Sequence, residues 1–170
     1  RGFYEALQFV WQDVSAKITE FQDNSQSILI AGHSLGAALA TLAAVQLHQE
    51  LNIVANGIYT FGSPRVGDAD FRGNYDEIFA DRHFRFVNNN DVVTRVAPSF
   101  PPFNYHHVGK MLYFDVEGML HSDISFWNKF KETVKGGIDD FLKPGVDFIK
   151  DHNMQIYQDN VLKNKDTAID

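Results

Sequence analysis

Apolar residues recur at three- and four-residue steps along the first twenty positions: Phe3, Leu7, Val10, Trp11, Val14, Ile18 and Phe21. That spacing lines one side of a helix and predicts an amphipathic helix from about residue 3 to 21. Asp23-Asn24-Ser25 breaks it, and the period then changes. Ser27-Ile28-Leu29-Ile30-Ala31 is short and almost wholly apolar, which predicts a strand buried on both faces in a parallel sheet. After Gly32 to Gly36, the stretch Ala37 to Gln49 is dense in Ala and Leu and predicts a helix packed tightly on that strand.

The alternation continues downstream. Ile53 to Phe61 predicts a second buried strand, ended by Gly62-Ser63-Pro64. Asp68 to Phe79 predicts a helix and His83 to Val87 a third strand, followed by the polar loop Asn88-Asn89-Asn90-Asp91. Val92 to Phe103 reads as irregular, with Pro98, Pro101 and Pro102 among apolar neighbours. His106 to Asp115 carries the alternation of a last strand or hairpin. From Ser122 onward the chain reads helical, broken at Gly136-Gly137 and Pro144-Gly145. Strand and helix in turn imply an α/β fold with a mainly parallel sheet. No repeat, low-complexity tract or linker interrupts it, so one domain is expected over residues 1–170.

Composition narrows the partners. The chain has 170 residues and is 44 % hydrophobic, enough for one domain with its own core. Its 15 Phe, 6 Tyr and 2 Trp exceed what core filling alone needs. A formal net charge of −7 argues against nucleic acid or a strongly anionic membrane as partner, because the long-range field repels both. Uncharged lipid surfaces stay open. With no cysteine, disulfides, a Cys nucleophile and thiolate metal sites are excluded, while the compartment stays undetermined. No apolar run is long enough to predict a transmembrane helix. The chain opens at Arg1 directly into a helical pattern, from which residues upstream are expected.

Gly32-His33-Ser34-Leu35-Gly36 fits G-x-S-x-G, the nucleophile elbow. A serine there sits on a strained turn between strand and helix, and small flanking residues let the backbone close that tightly. The following helix supplies backbone N–H groups and a positive dipole end for a developing oxyanion. The required context is present, an apolar strand before and an Ala-rich helix after. A Gly-rich packing turn is the structural alternative. The elbow predicts Ser, then Asp or Glu, then His along the chain. Asp91, at the polar end of a predicted strand, fits the second place, and equally fits a turn residue. His106, His107, His121 and His152 follow it, and spacing alone does not choose between them. His152 lies in the loop-like segment Asp151-His152-Asn153, which suits a mobile base better than a strand interior does.

Several segments together resemble the class 3 lipases, the fungal-lipase-like branch of the α/β-hydrolases. They are Arg1-Gly2-Phe3, Gly32 to Ala40, Tyr59 to Asp68, Asn90-Asp91-Val92-Val93 with Pro98, Tyr105 to Gly109 with Tyr113-Phe114, and Asp151 to Tyr157. The resemblance implies an α/β-hydrolase type fold, a mainly parallel sheet with flanking helices, here without the family's N-terminal strands and lid. It implies Ser34 as nucleophile, Asp91 as orienting acid and His152 as general base. The Leu35 backbone N–H becomes one oxyanion donor, the second lying upstream of Arg1. His107 falls on a structural histidine, His33 stands beside the nucleophile without acting as base, and Gly62 to Asp68 falls on a signature loop of packing and turn chemistry.

The implied reaction is acyl transfer on lipid esters, of the triacylglycerol lipase type, through an acyl-enzyme and without metal or organic cofactor. The partner is then a lipid or other ester substrate, met at a lipid–water interface. Val92, Val93, Val96, Ala97, Phe100 and Phe103 suit an acyl pocket or lipid-facing rim, and ordinary loop packing equally well. Asp139-Asp140 and Lys163-Asn164-Lys165 read as solvated surface. The same triad serves a phospholipase A1, galactolipase or feruloyl esterase, because specificity lives in pocket and lid. A non-catalytic hydrolase-fold scaffold is the alternative of another class. Without upstream strands the sheet is expected to keep an open edge and the chain to self-associate.

Overall fold

The first amphipathic pattern forms helix α1, Gly2–Phe21, and buries Leu7 and Trp11. The computed structural model describes residues 2–22, 26–89, 91–122 and 150–167. Strand β1, Leu29–His33, leads through Ser34 into α2, Leu35–Leu51. Then follow β2, Gly57–Phe61, α3, Ala69–Phe79, and β3, His83–Asn88. A 3-10 turn at Val92–Arg95 precedes β4, Lys110–Phe114, and the short β5, Leu120–His121. Helix α4 is Met154–Lys163. The predicted helices at Asp139-Asp140 and its surroundings lie outside the described residues. No described helix is long and apolar enough to cross a membrane.

The strands form one sheet in the order β1-β2-β3-β4-β5. β1 to β4 run parallel, and β5 turns back antiparallel on β4, so the last predicted element is both strand and hairpin. Two boundaries differ from the hydrophobic pattern. Ile53 to Asn56 stay outside β2, because α2 ends in a left-handed Asn52 (φ 54°) and Asn56 is used to clasp Ile28. Its backbone N–H donates to the Ile28 carbonyl, and its side chain accepts the Ile28 N–H at 2.8 Å.

The larger difference concerns β1. Predicted to be buried on both faces, it stands, among the described residues, at the edge of the sheet and pairs with β2 alone, and Leu29 is 65 % exposed. Ile30 faces the α1–α2 layer, while Leu29 and Ala31 face outward with nothing described against them. An apolar run reports that a strand can be covered, and the cover is a tertiary matter.

Packing places α2 and α3 on one face of the sheet and α4 on the other. Ala37, Ala38, Ala40 and Ala44 are buried on α2, and their small size lets its backbone approach β1 and β2 closely. α1 packs outside α2 through Leu7, Trp11 and Leu47, with Trp11 Nε1–H donating to Glu50 at 2.6 Å. On the opposite face, Phe61, Phe86 and Phe114 stack across neighbouring strands at 4.9 and 5.7 Å between ring centroids. Tyr157 of α4 stands edge-on to Phe61 at 5.9 Å and is wholly buried. A ring buried this way contributes about 2–3 kcal/mol, so the aromatic column fixes α4, and with it the residues just before α4.

Candidate active site

Loops at one end of the sheet carry the predicted residues: Asp91 and His152 meet, while Ser34 stands at the β1–α2 turn and, among the described residues, makes no hydrogen bond to His152. Ser34 stands at the turn from β1 into α2 with φ 57° and ψ −124°, a conformation costly for a residue with a Cβ. The elbow holds because its backbone is fastened on both sides. The Ser34 N–H donates to the Phe61 carbonyl at 3.0 Å, and its carbonyl accepts the Ala37 N–H at 3.0 Å. A Cβ on Gly32 would collide with the Gly36 carbonyl oxygen, so the tight approach of helix to strand demands glycine there. Leu35 opens α2, and as a first-turn residue its N–H has no carbonyl within the helix to meet.

Asp91 lies just past the end of β3 and is 1 % exposed. Its carboxylate makes two kinds of contact. Its side chain caps the 3-10 turn, Oδ1 accepting the Val93 N–H at 2.9 Å. The same carboxylate meets His152 Nδ1, at 2.9 Å through Oδ2 and 3.1 Å through Oδ1. Tyr157 completes the set, its hydroxyl donating to Asp91 Oδ2 at 2.7 Å and accepting the Asn88 N–H at 3.0 Å. Burial and the adjacent Asp91 carboxylate push the Tyr157 hydroxyl well above the usual tyrosine range, which keeps it a donor.

His152 sits in the turn before α4, and that turn is held from several directions. Asn88 Nδ2 donates to the Asp151 carbonyl at 2.9 Å, and Asn89 Nδ2 to the Asp151 carboxylate at 3.2 Å. Asn153 caps α4 through the Gln155 N–H at 2.8 Å. His33 Nε2–H donates to the His152 carbonyl at 2.8 Å, and the two rings lie 4.5 Å apart. With Nδ1 donating to Asp91, the Nε2 of His152 carries the lone pair. Among the described residues, the side-chain hydrogen bonds of His152 go to Asp91 alone. A catalytic hydrogen bond to serine is commonly loose before substrate binds and tightens with it.

Gly62 joins the three. It follows β2 with φ +58°, and a Cβ there would stand 2.6 Å from Asp91 Oδ2 and 2.9 Å from His152 Nδ1. The signature loop therefore does more than turn the chain, since its first residue leaves the space in which the carboxylate and imidazole meet. The rest of that loop behaves as expected. Asp68 caps α3 at the Phe71 N–H (2.9 Å), and Arg65 Nη1 ties the loop to the Arg95 and Ala97 carbonyls at 2.7 and 2.9 Å.

The remaining histidines have other partners. His121 Nε2 meets Asp115 at 2.7 Å across the β4–β5 hairpin. His106 bridges Gly67 through its backbone, its N–H donating to the Gly67 carbonyl at 2.7 Å. His107 Nε2–H donates to the Thr94 carbonyl at 2.7 Å, and burial, aided by Arg85 and Arg65, pushes its pKa down to about 2. It is a neutral structural histidine behind the turn that Asp91 caps. Asn164 departs from its reading as solvated surface: it is buried, accepting the Leu120 N–H at 3.0 Å and donating to the Gly118 carbonyl at 2.7 Å. Val96, Phe100 and Phe103 are more than half exposed. Tyr157, Asn88 and Gly62 were not singled out by residue chemistry, because the groups they serve lie far away in sequence.

Comparison with known proteins gives the family and the fold of the chain. The family described as Lipase (class 3) matches residues 1–100. Phospholipase A1-IIgamma of Arabidopsis thaliana is 33 % identical over 197 residues, covering 94 % of this chain and 44 % of that protein. A secreted mono- and diacylglycerol lipase of Malassezia restricta is 39 % identical over 125 residues, covering 71 % of this chain and 40 % of its own length. Among solved structures, the Rhizomucor miehei lipase–propeptide complex superposes with a TM-score of 0.62 at 28 % identity, over 68 % of this chain and 38 % of that one. A triacylglycerol lipase whose catalytic centre is described as a serine protease triad superposes with a TM-score of 0.54 at 28 % identity, over 66 % of this chain and 43 % of that one. The fold is the α/β-hydrolase type. The chain spans less than half the length of these relatives.

Proposed function

Because the chain belongs to the class 3 lipase family, we propose that it is a serine carboxylic-ester hydrolase acting on lipid esters, of the triacylglycerol lipase type. Ser34 is the nucleophile, His152 the general base and Asp91 the acid that orients it. The observation that supports this reading is the hydrogen bond between buried Asp91 and half-buried His152, together with the strained turn at Ser34. His152 Nε2 takes the Ser34 proton as Oγ attacks the ester carbonyl. Asp91 accepts the Nδ1–H and stabilises the imidazolium that forms. The Leu35 N–H, at the positive end of α2, donates to the tetrahedral oxyanion. His152 then protonates the departing alcohol, and water activated by the same imidazole releases the acid.

The test is hydrolysis of p-nitrophenyl butyrate and palmitate by the chain and by Ser34→Ala. A loss of about 10⁶-fold in turnover is expected on removing the nucleophile. Equal rates in the two proteins would refute the assignment. A second reading within the same chemistry, cleavage of the sn-1 ester of phospholipids, is favoured by the phospholipase A1 relative that matches 94 % of this chain. A panel of triacylglycerol, phospholipid and galactolipid emulsions separates the two.

Self-association belongs to the same proposal. Among the described residues β1 is paired on one side only, Leu29 on it is 65 % exposed, and Phe9 of α1 is 89 % exposed. An unpaired strand edge beside exposed apolar surface recruits further chains. Sedimentation velocity should show species larger than a monomer, and a concentration-independent monomer would overturn this.

A further inference from the structure

The face of the sheet turned toward α3 carries charge that the triad does not use. Arg85 stands in the middle of β3, opposite Thr60 of β2 and Met111 of β4, and only 7 % of its surface is exposed. Successive strand residues face opposite ways, so Arg85 points away from Phe86 and the Tyr157 side of the sheet. Its Nε is buried with no hydrogen-bond partner among the described residues. Burial lowers its pKa to about 10, which leaves it charged at neutral pH.

A cavity of about 270 Å³ opens beside it, lined by Arg65, Arg72, Asp76, His106 and His107 among others. Counter-charge there is short. Asp76 is the one carboxylate among the described lining residues, with Oδ2 3.5 Å from Arg72 Nε and Oδ1 already accepting the Gly109 N–H at 2.8 Å. Among the described lining residues, three guanidiniums against one carboxylate leave an excess of two positive charges. His107 adds none, being held neutral. Its Nδ1 is buried and has no hydrogen-bond partner among the described residues.

We propose that this cavity binds a small oxyanion of the phosphate class, held by the guanidiniums of Arg85, Arg65 and Arg72. Guanidiniums present paired N–H donors that match the oxygens of such an anion, and desolvated charge gains most from an opposite charge brought to it. The volume falls just below the range of about 300–1,000 Å³ that holds drug-sized ligands, and with its charged walls it excludes an acyl chain. The source of the phosphate is either the free ion or the headgroup of a phospholipid.

Isothermal titration and thermal melting with inorganic phosphate, with glycerophosphocholine, and with sodium chloride at matched ionic strength test the site. Phosphate should bind and raise Tm while chloride does neither. Binding of glycerophosphocholine as well would assign the site to a lipid headgroup, and its failure beside phosphate binding to the free ion. Arg85→Met should weaken binding by about tenfold to a hundredfold, the worth of a hydrogen bond to a charged group. Arg72→Gln, an exposed substitution on α3, serves if Arg85→Met does not fold, and should weaken binding by at least about tenfold. No binding by either phosphate probe, or affinity unchanged in the variants, would show a cavity filled by water alone and overturn the proposal.

Discussion

Lowering the pH from 7 to 5 should cost this chain about 4 kcal/mol of stability, and two histidines set the size of the effect. His83 is wholly buried, with Tyr75 Oη 2.9 Å from Nδ1 and Thr60 Oγ1 2.8 Å from Nε2. Burial, with Arg85 adding repulsion, lowers its pKa to about 3. His107 is lowered to about 2 by burial first, then by Arg85 and Arg65. In the unfolded chain both titrate near 6.5. The sign follows from which state takes the proton first. As pH falls below 6.5 the unfolded chain is protonated while the folded chain stays neutral, so folding loses ground. The stability is fully present above 6.5 and declines until the folded values near 3 and 2 are reached.

Each group contributes a slope of about 1.4 kcal/mol per pH unit in that window. From 6.5 to 5 this is about 2 kcal/mol each, against a total stability of about 5–15 kcal/mol for a typical domain. Urea melts at pH 7, 6, 5.5 and 5, with a constant m-value, measure it. His83→Gln keeps a side chain able to donate and accept while removing the titration, and should remove about half of the slope. A folding free energy that stays level between pH 7 and 5, or an unchanged slope in His83→Gln, would refute the reasoning.

Other expectations are local. Tyr157→Phe removes the hydroxyl that donates to Asp91 at 2.7 Å and leaves a buried carboxylate one donor short. It should destabilise by about 1–3 kcal/mol in a chemical melt and, by loosening the Asp91–His152 pair, lower kcat on p-nitrophenyl butyrate more than it raises KM. Gly62→Ala places a methyl 2.6 Å from Asp91 Oδ2 at a φ of +58°. Turnover should fall by about 10²-fold, the scale of an ångström-sized misplacement, with wild-type activity the result that would exclude this crowding.

Much of the architecture was legible because period and length suffice for it. α1, α2 and the elbow between β1 and α2 follow from apolar spacing and from Gly32 and Gly36, whose role is local. Asp91 was ambiguous for a physical reason: a carboxylate after a strand end can cap a turn or meet an imidazole by the same geometry, and here it hydrogen-bonds both Val93 N–H and His152. The choice of His152 among four histidines was not legible from spacing, because nothing in a sequence reports which distant loop lies against Asp91. The resemblance to the class 3 lipases supplied it. The exposure of β1 was hidden for a similar reason, since Leu29 and Ala31 are as apolar as a covered strand requires.

What selects His152 in the folded chain is α4 rather than the loop that carries it. Phe61, Phe86 and Phe114 come from three strands that are sixty residues or fewer apart, and their stacked rings make the surface on which Tyr157 rests. Once Tyr157 is seated there, its hydroxyl reaches Asp91 and the Asn88 N–H. The residue five positions earlier is thereby brought to the end of the sheet, where the Asn88 side chain catches the turn through the Asp151 carbonyl and His33 through the His152 carbonyl. The Asp91–His152 pair is thus assembled by hydrophobic packing and trimmed by hydrogen bonds. Removing one ring of the column, as in Phe86→Ala, disturbs the pair from below without touching either member.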